Sequence, residues 1–235
     1  MQIVLLPGLD GTGLLFSRFV SALGPSFETT VVGYPDDRGL DYTEHEAIAR
    51  AFLPRDRPYI LLGESFSGPI SISIAASKPP GLVGLILCCT FARNLLHLFA
   101  HFKSSLGLVP FNMIPKIFQT PFLLGRYSTR SLRTEQRRAV SHVSNAALRA
   151  RIRAIFEVDV SEKLQQVKVP ILYLRASDDY VIPRRASEHI HRIAPAVQIV
   201  ELKAPHMLLQ AHPSAAAKIV TDFACGIAGA PSRES

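Results

Sequence analysis

Short apolar runs alternate with amphipathic stretches along most of the chain. Residues 3–7, 29–32, 59–62, 82–89, 169–174 and 197–202 form runs of about four to eight residues rich in Val, Ile and Leu, the pattern of strands buried on both faces of a parallel sheet. Helical patterns lie between them. Residues 14–23 stop at Gly24, and residues 43–52 open with Thr43 and Glu46 at capping-box spacing and end before Pro54. Residues 67–76 and 184–193 follow, and 213–225 begin with Pro213, which suits a first helical turn. Regular strand–helix alternation predicts an α/β domain, a mostly parallel sheet of about six strands covered by helices on both faces.

The alternation fails over residues 92–156. This stretch shows helical patches at 91–102 and 134–156, separated by a Pro- and Gly-punctuated region at 107–125. About 65 residues between two sheet strands is too long for an ordinary connection, so a small helical subdomain is expected there. The expected organisation is a core of residues 1–91 and 157–235 interrupted by a helical insertion at 92–156.

Composition changes this picture in three ways. Hydrophobic residues make up 48% and charged residues 19% of the 235 residues, a globular balance. No uncharged apolar run reaches the roughly 18 residues of a membrane span, and the first residues read as a strand rather than a secretory signal. Three cysteines, Cys88, Cys89 and Cys225, do not make a disulfide framework; a reducing, cytoplasmic setting is expected, with Cys88 and Cys89 as small core residues. The net charge of +7 is unevenly spread: residues 92–156 hold 11 Lys and Arg against Glu135 alone, +10, while the remainder holds 15 against 18 acids, −3. Without a zinc-finger spacing or an RNA-binding aromatic motif, this is read as a basic insertion and not as a nucleic-acid surface.

The chemistry is concentrated in four loops. Leu61-Leu62-Gly63-Glu64-Ser65-Phe66-Ser67-Gly68 runs from an apolar strand through a Gly-x-Ser turn directly into a helix. Such a turn lifts Ser65 clear of the sheet and aims the Phe66 N–H, at a helix N-terminus, into the same space. Ser67 stands where a Gly-x-Ser-x-Gly motif has its second glycine, and Gly68 follows. After the first strand, Pro7-Gly8-Leu9-Asp10-Gly11-Thr12-Gly13 forms a turn in which Leu9 offers a second N–H to a developing oxyanion. Its glycine spacing fits neither Gly-x-Gly-x-x-Gly nor a P-loop, which argues against nucleotide binding. Asp178 and Asp179 follow a strand end and compete as the acid that orients a histidine. His206 follows the last strand; His212 is its rival, placed to start the last helix, whereas His45, His97, His101, His142, His189 and His191 fall in helical patterns.

The order Ser65, Asp, His206 resembles that of the α/β-hydrolase superfamily, serine esterase/lipase type, and the resemblance covers nearly everything outside 92–156. It implies the α/β-hydrolase fold with a helical cap over Ser65. By the family spacing to Pro183 the acid is Asp179, with Asp178 second, and His206 stands the expected distance before Pro213. Pro7-Gly8 replaces the usual His-Gly of the first turn, and because the family commonly has two strands before this one, the resemblance implies a shortened sheet of about six strands. The implied activity is that of a serine carboxylesterase with Ser65, His206 and Asp179 as triad and Leu9 and Phe66 as oxyanion donors. No metal or cofactor is expected, and no cluster of His, Cys and acids has metal-ligand spacing. Ser65 argues against dehalogenase and epoxide-hydrolase chemistry, which use an acid at this position.

Expected partners are a small-molecule ester and, at the basic cap, an acidic carrier protein. The cap arginines Arg126, Arg130, Arg133, Arg137, Arg138, Arg149, Arg151 and Arg153 are candidates for receiving either an anionic substrate or that carrier. Cap aromatic and leucine residues are read as packing residues, some of them lining an acyl pocket. Three alternatives stay open at this point: a thioesterase or acyltransferase on CoA- or carrier-bound acyl groups, a carbon–carbon bond hydrolase or cofactor-free haloperoxidase, and a non-catalytic small-molecule receptor.

Overall fold

The structure, a computed structural model, describes residues 1–94 and 120–229. Six strands, β1 (Gln2–Leu6), β2 (Glu28–Val31), β3 (Tyr59–Glu64), β4 (Leu82–Cys88), β5 (Ile171–Asp178) and β6 (Gln198–Pro205), form one sheet in the order β2-β1-β3-β4-β5-β6, every pair parallel. The crossovers are helical. α1 (Ser17–Leu23), α2 (Tyr42–Ala51) and α3 (Gly68–Ala76) connect the first four strands. α4 (Thr120–Leu124), α5 (Arg130–Ser141), α6 (Asn145–Glu157) and α7 (Ser161–Gln166) lie between β4 and β5. α8 (Arg184–Ile193), α9 (Leu208–Ala211) and α10 (Pro213–Gly229) complete the chain.

Side chains of a strand alternate between its faces, so the strands inside the edge strand β2 feed two cores. Val4, Leu6, Tyr59 and Leu61 pack with α2, α3, α7 and α8, whereas Ile3, Leu5, Ile60 and Leu62 pack with α1, α9 and α10. β3 and α3 are buried along their whole length, which places the turn between them at the centre of the sheet's C-terminal edge. That edge, where the strand order reverses direction around β1 and β3, is where open α/β sheets present their sites. No described helix is long and apolar enough to cross a membrane.

Three local expectations are corrected. The capping box of α2 is Asp41 with Glu44, not Thr43 with Glu46: the Asp41 carboxylate accepts from the Glu44 amide and the Glu44 carboxylate from the Asp41 amide, each at 2.8 Å. Two overlapping frames carry the same spacing, and the earlier one wins because it lets Tyr42 stack on Phe66 and His45 bond to the Asp41 carbonyl. Glu46 pairs instead with Arg50, one turn on. The helical patch at 134–156 is two helices, broken where the Ser144 hydroxyl accepts from the Ala147 amide and starts α6. The Pro- and Gly-punctuated region at 107–125 reaches helical structure in α4, and of the patch at 91–102 only 91–94 lies within the described residues and is not helical. There Arg93 bridges to Asp159 as the chain leaves and re-enters the core.

Candidate active site

The turn from β3 into α3 begins at Ser65, whose φ of 48° is left-handed and unusual for a side-chain-bearing residue. The strain is held in place from all sides. A Cβ at Gly63 would collide with Ser71 and with the Ser67 carbonyl, and one at Gly68 with Thr90. The Thr90 hydroxyl donates to the Ser65 carbonyl. Ser67 replaces the motif's second glycine without strain, at φ −85°. Its hydroxyl donates to the Pro7 carbonyl and is paired at 2.9 Å with the Tyr34 hydroxyl, tying the serine turn to the first loop. The close packing expected of that glycine has moved one place, to Gly68.

Above this turn, the Ser65 Oγ lies 2.9 Å from His206 Nε2, and His206 Nδ1 lies 2.8 Å from Asp179 Oδ2. A carboxylate accepts, so the imidazole proton sits on Nδ1 and Nε2 faces the hydroxyl as acceptor. Asp179 is anchored through its other oxygen, which accepts from the Val181 and Ile182 amides at 2.8 Å each. A break in the β5–β6 register between Ala176 and Asp178 re-aims this strand end. Asp178 points elsewhere, accepting from Arg126 Nη2 and the Tyr127 hydroxyl at 2.6 Å each. His212 caps the end of α9 with its ring edge-on to Tyr127, outside this chain of bonds. Burial alone would depress the His206 pKa; the Asp179 charge and hydrogen bond, with help from Glu64, raise it above its ordinary value.

Leu9 lies on the floor of a cavity of about 1030 Å³ beside Gly8, Glu64, Ser65 and His206. A methyl at Gly8 would stand 3.8 Å from the Ser65 Cβ and from the Asp10 carboxylate, on the same cavity floor. The loop is internally braced: the Asp10 carboxylate accepts from the Thr12 amide and hydroxyl, and the Gly11 amide donates to the Gly8 carbonyl. Phe66 is held by the Tyr42 hydroxyl, which donates to its carbonyl, and by the stacked Tyr42 ring.

The insertion supplies the roof. Arg133, Gln136, Arg137 and Val140 of α5, with Asn145, Leu148, Arg149 and Ile152 of α6, repeat at helical spacing and line the cavity. Leu15, Leu123 and Met207 add apolar wall. Arg133, Arg137 and Arg149 have no carboxylate partner among the described residues, and residues 95–119 contain no Asp or Glu. The other cap arginines divide: Arg126 is spent on Asp178, and Arg151 is buried away from the cavity. Leu95, Leu96, Leu98, Phe99, Phe102, Phe111, Phe118, His97 and His101 lie outside the described residues.

Two features escaped the sequence. Cys89 comes beside Asp179 and His206, so that one donor atom from each of the three lies within 4.8 Å of the others. Distant in sequence, they carry no ligand spacing; the His206 Nδ1 is already bonded to Asp179, and the Cys88 hydrogen bond and burial hold the Cys89 thiol well above its ordinary pKa, both unfavourable to a metal. Glu64, next to the nucleophile position, is a buried carboxyl on the cavity floor. Burial pushes its pKa up to about 7 against the hydrogen bond from Gln210 Nε2 at 3.0 Å. A raised carboxyl pKa stabilises the fold below its unfolded value and loses that contribution as pH rises towards about 7. Glu64→Gln is therefore expected to gain about 2–3 kcal/mol over wild type between pH 4 and pH 8, read by urea unfolding at both pH values. An equal difference at the two would show that Glu64 ionises normally.

A sheet edge carrying a left-handed serine, a histidine and an acid in hydrogen-bonded sequence is the arrangement found at the C-terminal edge of α/β-hydrolase sheets. The family model described as "Alpha/beta hydrolase family" matches residues 3–219, and the chain belongs to that family. It is 23% identical over 256 residues to a pimeloyl-[acyl-carrier protein] methyl ester esterase of Neisseria meningitidis, covering 98% of this chain and 79% of the relative. It is also 23% identical to a putative carbamate hydrolase, RutD, of Rhizobium rhizogenes, covering 85% of this chain and 82% of that one. Among solved structures, the enol-lactonase of Burkholderia xenovorans LB400 superposes with a TM-score of 0.77 at 18% identity, covering 95% of this chain and 91% of the other.

Proposed function

We propose that this carboxylic ester hydrolase works as a serine carboxylesterase through an acyl-enzyme. His206 Nε2 takes the Ser65 proton as Ser65 Oγ attacks the ester carbonyl; the Leu9 and Phe66 N–H groups receive the oxyanion. The His206 imidazolium, stabilised by Asp179, then protonates the leaving alcohol, and water repeats the sequence to release the acid. The observation that carries this reading is the unbroken run of contacts from Ser65 Oγ through His206 to Asp179. The direct test is labelling with a fluorophosphonate: a single adduct on Ser65, with parallel loss of p-nitrophenyl butyrate hydrolysis, is expected. An adduct elsewhere, or activity surviving full labelling, would discard the assignment.

The substrate is an acyl ester whose far end is anionic. An apolar cavity with three unneutralised guanidiniums on its roof favours a chain that is apolar near the reacting carbonyl and negative at its distal end. The relative named for a pimeloyl-[acyl-carrier protein] methyl ester supports an acyl ester borne on a carrier protein, which the basic cap would suit if that carrier is acidic. Arg137→Glu is expected to lower kcat/KM for the monoester of a dicarboxylic acid about tenfold, and much less for a neutral ester of equal length. Equal losses on the two esters would count against an anionic substrate.

A further inference from the structure

Arg151 belongs to α6 in the insertion, yet its guanidinium is inserted beneath the first loop of the core. It is only 1% exposed. Nη1 donates to the Leu9 carbonyl at 2.9 Å and to the Asp10 carbonyl at 2.8 Å, Nη2 to the Pro35 carbonyl at 2.8 Å, and Nε to His45 Nε2 at 3.4 Å. The Tyr34 ring lies 6.0 Å from it. The His45 tautomer follows from its other nitrogen: Nδ1 donates to the Asp41 carbonyl at 2.6 Å, leaving Nε2 to accept. All four acceptors are neutral. Burying a cation this way is costly, and an apolar side chain of similar volume would serve packing better. What a guanidinium adds is a rigid fork of donors that fixes several carbonyls at once.

We propose that Arg151 is a positioning residue for the oxyanion donor of Leu9. The Gly11 amide, bonded to the Gly8 carbonyl, sets the peptide that carries the Leu9 N–H. Arg151 sets the next two peptides by holding the Leu9 and Asp10 carbonyls, so the donor peptide and the two that follow it are all held. Gly11 makes the room: a Cβ there would stand 2.5 Å from Arg151 Nη1. Arg151 does not line the cavity, unlike Arg149 two residues earlier, so it acts on the reaction through the loop and not on the substrate. Because α6 also supplies Leu148 and Ile152 to the cavity roof, one helix joins the acyl-binding wall to the oxyanion turn. Further bonds join the same insertion to the other site loops, from Arg126 and the Tyr127 hydroxyl to Asp178 and from the Met207 amide to the Leu123 carbonyl.

The inference rests on the esterase reading and is tested separately from it. Arg151→Lys and Arg151→Met are compared with wild type for kcat, KM and thermal midpoint, using p-nitrophenyl butyrate. Inhibition by a trifluoromethyl ketone, which forms an oxyanion, is compared with inhibition by the matching alcohol, which does not. The Met variant is expected to lose about 30- to 100-fold in kcat, the scale of a displaced reacting group, with KM within about threefold. Ketone affinity should fall in parallel while alcohol affinity holds, and Lys, with fewer donors, should fall between Met and wild type. Arg18→Met, which cuts the exposed Arg18–Glu135 link between core and insertion, should keep kcat near the wild-type value. Wild-type kcat in folded Arg151 variants, an effect confined to KM, unchanged ketone affinity, or an equal loss in Arg18→Met would overturn the proposal. If the Met variant does not fold, the Lys variant decides by the same criteria. A failure of the esterase reading has a different signature, turnover that survives Ser65→Ala.

Discussion

Ser65→Ala is expected to lower kcat for ester hydrolysis by about 10⁴- to 10⁶-fold while the protein stays folded. Without the hydroxyl no acyl-enzyme forms, and His206 and Asp179 have no nucleophile to serve. What remains is the modest assistance that oriented N–H groups give to water. The fold should tolerate the change because alanine has the same backbone preference as serine and inherits, without increasing, the strain at φ 48°. The side chain removed is small, and its only described side-chain hydrogen bond is to His206. Steady-state kinetics together with circular dichroism at matched temperatures separate loss of chemistry from loss of fold. Wild-type turnover in a folded Ser65→Ala protein would remove the nucleophile and with it the proposed function.

Asp179→Asn should cost about 10⁴-fold in kcat, and Asp178→Asn less than about threefold. The difference follows from what each carboxylate touches. Asp179 Oδ1 receives the Val181 and Ile182 amides, so an asparagine there must keep its oxygen towards them and turn its NH₂ to His206. The imidazole then accepts at Nδ1 and carries its proton on Nε2, where it faces Ser65 as a donor and cannot act as base. The raised pKa of His206 loses its main support in the same change. Asp178 faces the exposed Arg126 and Tyr127, and asparagine can still accept from the tyrosine. Kinetics of the two single variants decide between the carboxylates; the reverse ranking would move the acid to Asp178.

Much of this architecture was legible in the residues. Six short apolar runs became six parallel strands; β1, β3 and β4, buried on both faces, are apolar nearly throughout, whereas the edge strands β2 and β6 are partly exposed and carry polar residues. The serine turn was legible because its chemistry is local: a strand end, small neighbours and a helix start lie within a few residues. Choosing Asp179 over Asp178 rested on a family spacing to Pro183. Nothing within the two adjacent acids separates them until the fold aims one at His206 and the other at Arg126. The capping frame of α2 was misplaced by two residues, because two frames overlap and the stacking of Tyr42 on the distant Phe66 helps choose between them.

The cap shows the same division. Its basic charge was countable, but the fate of each arginine was not. Periodicity placed arginines on helices; tertiary packing sent Arg126 to Asp178, left Arg133, Arg137 and Arg149 on the cavity roof, and buried Arg151 under the Leu9 loop. His45, read as one more helical histidine, became the fourth acceptor of that guanidinium. By itself the sequence determined the strand–helix alternation, the sharp serine turn and the excess positive charge, since these depend on neighbours along the chain. Only the folded structure decided which acid meets the histidine, which arginines face the cavity and which one is buried against the Leu9 and Asp10 carbonyls. Those contacts join residues 27 to 142 positions apart, and side-chain reach and burial, not local pattern, select them.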